Sequence, residues 1–346
     1  MSSPFVTVLI DTYNYGHFID QAIESVLSQD FPPDQMEVLV IDDGSTDDTA
    51  ARVKKYGPRV QYFCKTNGGQ ASAFNFGFAK ARGEIIAILD ADDYWFSDRL
   101  STVVAEFEKH AEAGMVYHPL REFHVETGEY REAVYTPISG FVPSSIKQLV
   151  LFDGVMTTSS YRREILAQLL PIPETLRIQA DAYIGSLAVF LAPVICIGRP
   201  LGIYRIHGKN LYFQAAGVAE TKRLLRRIET RREIVKGMTE WFVLHGYDTR
   251  QPEVRVSLTK WVLLLERDEF QLSPPGRIRF FRHLMKAYRQ QSPLMTRRIR
   301  AVNCFNAVGV LIVGYGKFHA LDENRERITR WLRHAVGLRH EKVRLS

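Results

Sequence analysis

Hydrophobic and polar positions alternate between two periods along the first two hundred residues. Phe5 to Ile10 is a short apolar run of β type, and Asp11 to Gly16 follows as a polar turn. Ile19, Ala22, Ile23, Val26 and Leu27 then recur at helical spacing until Phe31-Pro32-Pro33 ends the pattern. Met36 to Ile41 is a second apolar run, closed by Asp42-Asp43-Gly44-Ser45-Thr46-Asp47, and a capped helix is expected to open near Asp48 or Thr49. Val60 to Cys64 predicts a third strand, and Asn67-Gly68-Gly69-Gln70 leads into a helix through about Ala81. Ile85 to Leu89 is an unbroken apolar run, the signature of a parallel strand buried on both faces, and it stops at Asp90, Asp92 and Asp93. Such alternation specifies a mostly parallel sheet whose binding edge is built from the loops after the strands.

The pattern continues with a helix from Arg99 to about Ala113, a strand at Met115 to Tyr117 and a hairpin around Val125 to Tyr130. Tyr135 to Ser145 reads as a loop open to an acceptor, and Thr157 to Arg163 as either a hydroxyl-capped helix start or a substrate contact. Asp181 opens an apolar helix, Ile184 to Phe190, and Leu201 to Asn210 is a strand followed by a polar turn. From Val218 onward the chain is helical, with apolar stripes at Leu224, Leu225, Ile228, Ile234 and Val235, at Trp261 to Leu265, and at Ile278, Phe280, Phe281, Leu284 and Met285. Ala301 to Gly316 is apolar but contains Asn303 and Asn306. It is shorter than the ~20 residues that span a bilayer, so a buried helix is expected, with an interfacial one as the alternative.

Charge divides the chain. Residues 1–216 carry 18 Lys/Arg against 26 Asp/Glu, net −8, whereas residues 217–346 carry 27 against 13, net +14. The expected domains are therefore 1–216 and 217–346, the second with an anionic partner. A membrane surface is the stronger expectation, because no nucleic-acid motif accompanies the charge. Cys64, Cys196 and Cys304 are widely spaced and lack a Cys-x-x-Cys, which argues for free thiols in a reducing compartment. The first residues pass directly into a strand without a basic and apolar leader, so a cytoplasmic location is expected.

Asp-x-Asp at the end of a buried strand offers hard oxygen ligands to a divalent cation, which could grip a diphosphate. No Gly-x-Gly-x-x-Gly opens a helix and no Gly-Lys-Ser/Thr loop is present, which weakens the readings of a dinucleotide oxidoreductase and a P-loop hydrolase.

In order and spacing, Val8-Leu9-Ile10-Asp11-Thr12-Tyr13-Asn14, Ser25 to Gln29, Val40 to Asp47, Asn67-Gly68-Gly69 with Asn75 and Gly77, and Leu89-Asp90-Ala91-Asp92-Asp93 resemble the family 2 glycosyltransferases. The resemblance implies the GT-A fold, a Rossmann-like α/β sheet with flanking helices, here followed by a basic helical region. It further implies a nucleotide-sugar donor, most often UDP-linked, a Mg²⁺ or Mn²⁺ ion and inversion at the anomeric carbon. Carried onto these positions, Thr12, Tyr13 and Asn14 would lie against the base, and Asp42 or Asp43 would read its edge. Gly69, Asn75, Asp90, Ala91 and Arg205 would line the donor, and Asp92 would hold the metal with His207. Asp181 would be the general base, with Ala180 where many relatives carry a second acid. Asp11-Thr12 replaces a common Pro, which bears on the base contacts. The acceptor would be a glycan or a lipid-linked sugar. A nucleotidyltransferase and a non-catalytic sugar-binding subunit are the alternatives; the later Asp181 and Tyr204 to Asn210 pattern disfavours the first, and the complete set of carboxylates the second.

Overall fold

A computed structural model describes residues 5–132, 137–146, 148, 158–208, 210 and 219–291. The apolar run Ala301 to Gly316 and Cys304 lie outside these residues. In chain order the elements are β1 (Val6–Thr12), α1 (Gly16–Leu27), β2 (Met36–Asp42), α2 (Thr49–Lys54), β3 (Gln61–Cys64), α3 (Gln70–Lys80), β4 (Ile85–Asp90), β5 (Tyr94–Trp95) and α4 (Arg99–Lys109). They continue as β6 (Met115–Tyr117), β7 (Arg121–His124), β8 (Glu129–Glu132), β9 (Ser160–Arg162), α5 (Arg163–Ala167), α6 (Ala180–Ala188), β10 (Val194–Cys196) and β11 (Gly202–Ile206). Three long helices follow: α7 (Ala219–Leu244), α8 (Pro252–Leu272) and α9 (Arg277–Gln291).

The main sheet has seven strands in the order β10-β6-β9-β4-β1-β2-β3. All its pairings are parallel except those of β9, which runs antiparallel between β4 and β6. The centre is β1 and β4, whose Val6, Val8, Leu9, Ile10, Ile86, Ala87 and Leu89 are sealed from solvent. Helices cover both faces. On α1, Ile19, Ala22, Ile23 and Val26 are all buried at the predicted spacing. α3 lies so close to the sheet that a Cβ on Gly77 would sit 2.4 Å from Leu9 Cδ1, so a larger residue there would push the helix off β1.

A second sheet of four strands, β5-β11-β7-β8, is attached at the carboxyl end of the first. β5 follows the acids of β4 within four residues, and β11 immediately precedes His207. The small sheet therefore forms one wall of the crevice.

One stretch of the sheet differs from the sequence reading. Ser160–Arg162 is neither a helix start nor a loop: it is a strand filling the space between β4 and β6. The second helix opens at Thr49 as expected, and Asp47 accepts hydrogen bonds from the Thr49 N–H and hydroxyl.

The chain forms two compact units, Met1–Trp261 and Val262–Ser346. The first runs past residue 216 and takes in α7, whose Trp241 Nε1 donates to Gln168 O at 3.1 Å and whose Phe242 packs against Phe190. Leu224, Ile228 and Ile234 are buried as the stripe predicts, but Leu225 is exposed. In the second unit Phe270 and Phe280 form a small core with Leu284, and Glu266 accepts from Lys286 and contacts His283. Ile278 is exposed there. Cys64 and Cys196 are free thiols. No helix among the described residues is long and apolar enough to cross a membrane.

Candidate active site

Register sets the geometry of the acids. β1 and β4 pair so that Asp11 lies opposite Asp90, and β1 and β2 so that Thr12 lies opposite Asp42. Asp11 and Thr12 are thus strand residues rather than part of the polar turn, because flanking strands supply backbone partners on both sides. Beyond Asp90 the chain turns, with Ala91 N–H on Asp11 O at 3.2 Å and Asp93 N–H on Asp90 O at 3.0 Å. That turn brings ligand oxygens of Asp90, Asp92 and Asp93 within 4.8 Å of one another.

These carboxylates repel. Burial, followed by the charges of Asp11, Asp92, Asp93 and Asp181, holds the Asp90 carboxyl well above the usual range. Asp11 is pushed up to about 7, by burial first and then by Asp181 and Asp92, while a hydrogen bond with Asp90 works the other way. The same interactions place Asp181 beside the cluster. It stands in the first turn of α6, accepts the Ala182 N–H at 2.8 Å, and burial raises it to about 6.

Asp92 is gripped from the other wall. Its Oδ2 lies 3.0 Å from His207 Nε2 and 3.4 Å from Asn210 Nδ2. The His207 ring lies tilted against Phe18 at 4.6 Å and meets the edge of Tyr15 at 5.8 Å. Hard carboxylate oxygens beside an imidazole suit Mg²⁺ or Mn²⁺, and the mutual repulsion gives a cation a reason to bind. Asp90, Asp92, Asp93 and His207 are the residues that fit such an ion.

Arg205, expected beside the donor, is engaged within the fold. Its guanidinium donates to Asp92 O, Asp93 O, Phe18 O and Gln21 Oε1 and lies over the Phe18 and Tyr94 rings at 4.5 and 5.3 Å. Only 4% exposed, it holds the acid turn through the Asp92 and Asp93 carbonyls. Asn75 is also used structurally: its amide makes two 2.8 Å hydrogen bonds with the Ile172 backbone, tying α3 to that loop.

The remaining positions line the ends of β1 and β2. Tyr13 is 48% exposed, and Asn14, at φ +59°, bridges to the second loop through Ser45 Oγ and Thr46 N–H, both at 2.8 Å. Asp42 accepts from Ser45 N–H and the Tyr62 hydroxyl. Asp43 accepts from Lys65 Nζ at 2.9 Å and from the N–H groups of Gly68 and Gly69 at 2.9 and 2.6 Å. Gly69 has φ +88°, and a Cβ would lie 2.5 Å from Arg177 Cα, so glycine is required twice over. Gln70 then donates its N–H to Arg177 O and accepts the Ala180 N–H at its side chain, both at 3.0 Å. A continuous chain of bonds thereby joins Asp43 to the helix that carries Asp181.

Sequence reasoning gave no role to Asp11, Tyr15 or Tyr204. Burial and the surrounding carboxylates keep both phenols protonated. The signal available was alternation: with Arg205 turned towards Phe18, a period of two turns Tyr204 to the opposite face of β11.

Residues 7–170 match the family described as Glycosyl transferase family 2. An uncharacterized glycosyltransferase of Nostoc sp. strain PCC 7120 is 34% identical over 219 residues, covering 61% of this chain and 67% of that one. Against glycosyltransferases of Rickettsia bellii and Rickettsia conorii, which match at 34% and 33% identity, the chain spans a third or less of the relative's length. Among solved structures, Staphylococcus aureus TarS 1–349 in complex with UDP-GlcNAc superposes with a TM-score of 0.63 at 18% identity, over 90% of this chain and 92% of that one. A mannosyltransferase of Pyrobaculum calidifontis in complex with GDP-Man and Mn²⁺ gives 0.52 at 18% identity, over 93% and 84%. Parallel sheet, acid edge and sequence relatives agree: the chain belongs to glycosyl transferase family 2 and has the GT-A fold.

Proposed function

We propose that the chain moves a sugar from a nucleotide-sugar donor, UDP-linked, to an acceptor hydroxyl with inversion at the anomeric carbon. The observation that carries this reading is the convergence of Asp11, Asp90, Asp92 and Asp181 from two strands, one turn and one helix at a single sheet edge. Tyr13, Asn14 and the Asp42–Asp43 turn would receive the nucleoside. The TarS structure holds UDP-GlcNAc and the Pyrobaculum structure GDP-Man with Mn²⁺, which supports a nucleotide-sugar donor and a divalent ion. When bound, Mg²⁺ or Mn²⁺ on Asp92 and its neighbours would neutralise the diphosphate. Asp181, raised to about 6, is ionised at neutral pH yet basic enough to take the proton of an attacking hydroxyl. Attack from the face opposite the nucleotide inverts the anomeric carbon. Arg205 and His207 keep the acid turn in place throughout.

The acceptor is a glycan or lipid-linked sugar, and the net +14 of residues 217–346 supports reversible docking on an anionic cytoplasmic membrane surface. A panel of nucleotide sugars tested with Mn²⁺, Mg²⁺ or chelator, with the product anomer read by NMR, tests the chemistry. Retention of configuration, or full turnover in chelator, would sink it. Equal sedimentation with anionic and neutral vesicles at low salt would sink the membrane assignment alone.

A further inference from the structure

Arg99 opens α4 a few residues beyond the acid turn, and it is completely buried. Its Nε donates to His118 Nε2 at 3.3 Å, and one terminal nitrogen donates to Ser160 Oγ at 3.0 Å and Thr158 O at 3.4 Å. The guanidinium lies over Trp95, with Cζ 3.6 Å from the ring centroid. None of these partners is negative. His118 turns Nδ1 to Pro119 O at 2.9 Å, which leaves Nε2 as an acceptor. Burial, reinforced by the Arg99 charge, pushes that imidazole down to about 3, so it is neutral. Burial also lowers Arg99, to about 9, which still leaves it charged at neutral pH.

A lone buried cation is expensive unless something compensates it. Around this guanidinium three polar atoms are sealed from solvent without a hydrogen-bond partner: the second terminal nitrogen of Arg99, Trp95 Nε1 and Thr158 Oγ1. The three residues are 0%, 4% and 0% exposed. Both residues adjoin the guanidinium, Trp95 through its ring and Thr158 through its carbonyl. All three can donate, and each lacks an acceptor. A water would accept their hydrogens but leave the positive charge uncompensated, whereas an anion does both. A polyoxo anion would need more room than a packed core between a strand and a helix start provides.

We propose that Arg99, Trp95 and Thr158 hold a buried halide, chloride under ordinary conditions. The ion sits behind the segment Asp90 to Trp95 and stiffens it, independently of which sugar is transferred. The test compares thermal midpoints of the full chain in sodium chloride and sodium methanesulfonate at equal ionic strength, and locates the ion by anomalous diffraction from bromide-soaked crystals. We expect a higher midpoint in chloride and a bromide peak at hydrogen-bond distance from Arg99. Thr158→Val, which keeps the shape of the side chain, should weaken half-saturation by chloride at least five-fold, and Arg99→Met should abolish the chloride effect. Equal midpoints in the two salts overturn the proposal, as does a water or a side-chain carboxylate at that point. A chloride effect unchanged in Thr158→Val assigns the ion elsewhere and overturns it too.

Discussion

The two ends of the main sheet each bury a carboxylate, and they treat it in opposite ways. At the amino end Glu37 of β2 is 6% exposed and accepts from the Thr7 hydroxyl, the Arg82 N–H and the Arg82 guanidinium. Burial raises this carboxyl, but those bonds outweigh it and hold it below its ordinary range. At the carboxyl end Asp90 of β4 rises, through burial first and then through the charges of the carboxylates around it. Burial raises both carboxyls. What differs is the neighbours: donors where the fold must be held, like charges where a cation and a proton are to be handled.

The largest expected effect tests the functional end. Asp181→Asn should lower transfer by on the order of 10²–10⁴ while UDP binding, followed by calorimetry, changes little; near-normal turnover would give the proton to another group. Next, Glu37→Leu should destabilise the fold by about 2 kcal/mol, because the buried Thr7 hydroxyl and the partly buried Arg82 N–H lose their acceptor. Urea denaturation measures it, and a neutral result would show that the amino end is not specially stabilised.

The third test is pH. Because Asp181 must be ionised to act, turnover should fall about tenfold per unit below about 6 and level off above it. The stability sign is opposite: a carboxyl raised from 3.8 to about 6 stabilises the fold relative to higher pH below that window, and the contribution is lost as pH rises through it. A pH–rate profile with its limb near 4 would contradict the raised value. Fourth, Asp90→Asn should stabilise the metal-free protein at pH 8 by about 1 kcal/mol, since it removes one of the repelling charges. A loss of stability there would mean that the acids are not in conflict. The smallest effect belongs to Tyr13→Ala. Its exposed ring supports no core, so stability should stay within about 0.5 kcal/mol, while KM for the donor should rise about five-fold if the ring stacks on the base.

The sequence was most legible where one requirement dominates. Ile85 to Leu89 can only be a strand buried on both faces, and the acids after β2 and β4 fall at the predicted edge. Ser160–Arg162 was not legible as a strand, because three residues rich in hydroxyl and charge carry no period, and only the gap between β4 and β6 makes them one. Asp181 could be placed at a helix start, but its approach to Asp11 depends on a crossover that spacing does not encode. Arg205 and Asn75 show the converse: side chains suited to a ligand whose groups are taken up by nearby carbonyls and amides. Donor capacity is visible in a sequence, whereas its allocation is a property of packing.

The stitch from Asp43 through Gly69 and Gln70 to Ala180 bears on the order of events in turnover. If, as proposed, a nucleoside settles the 42–47 turn and Asp181 is the base, donor binding would also settle the helix start that presents it, and linkage makes the influence reciprocal. The reaction should therefore be ordered, donor before acceptor, and an acceptor analogue should slow the departure of UDP. On that reading the base would be set in position only while a donor is in place.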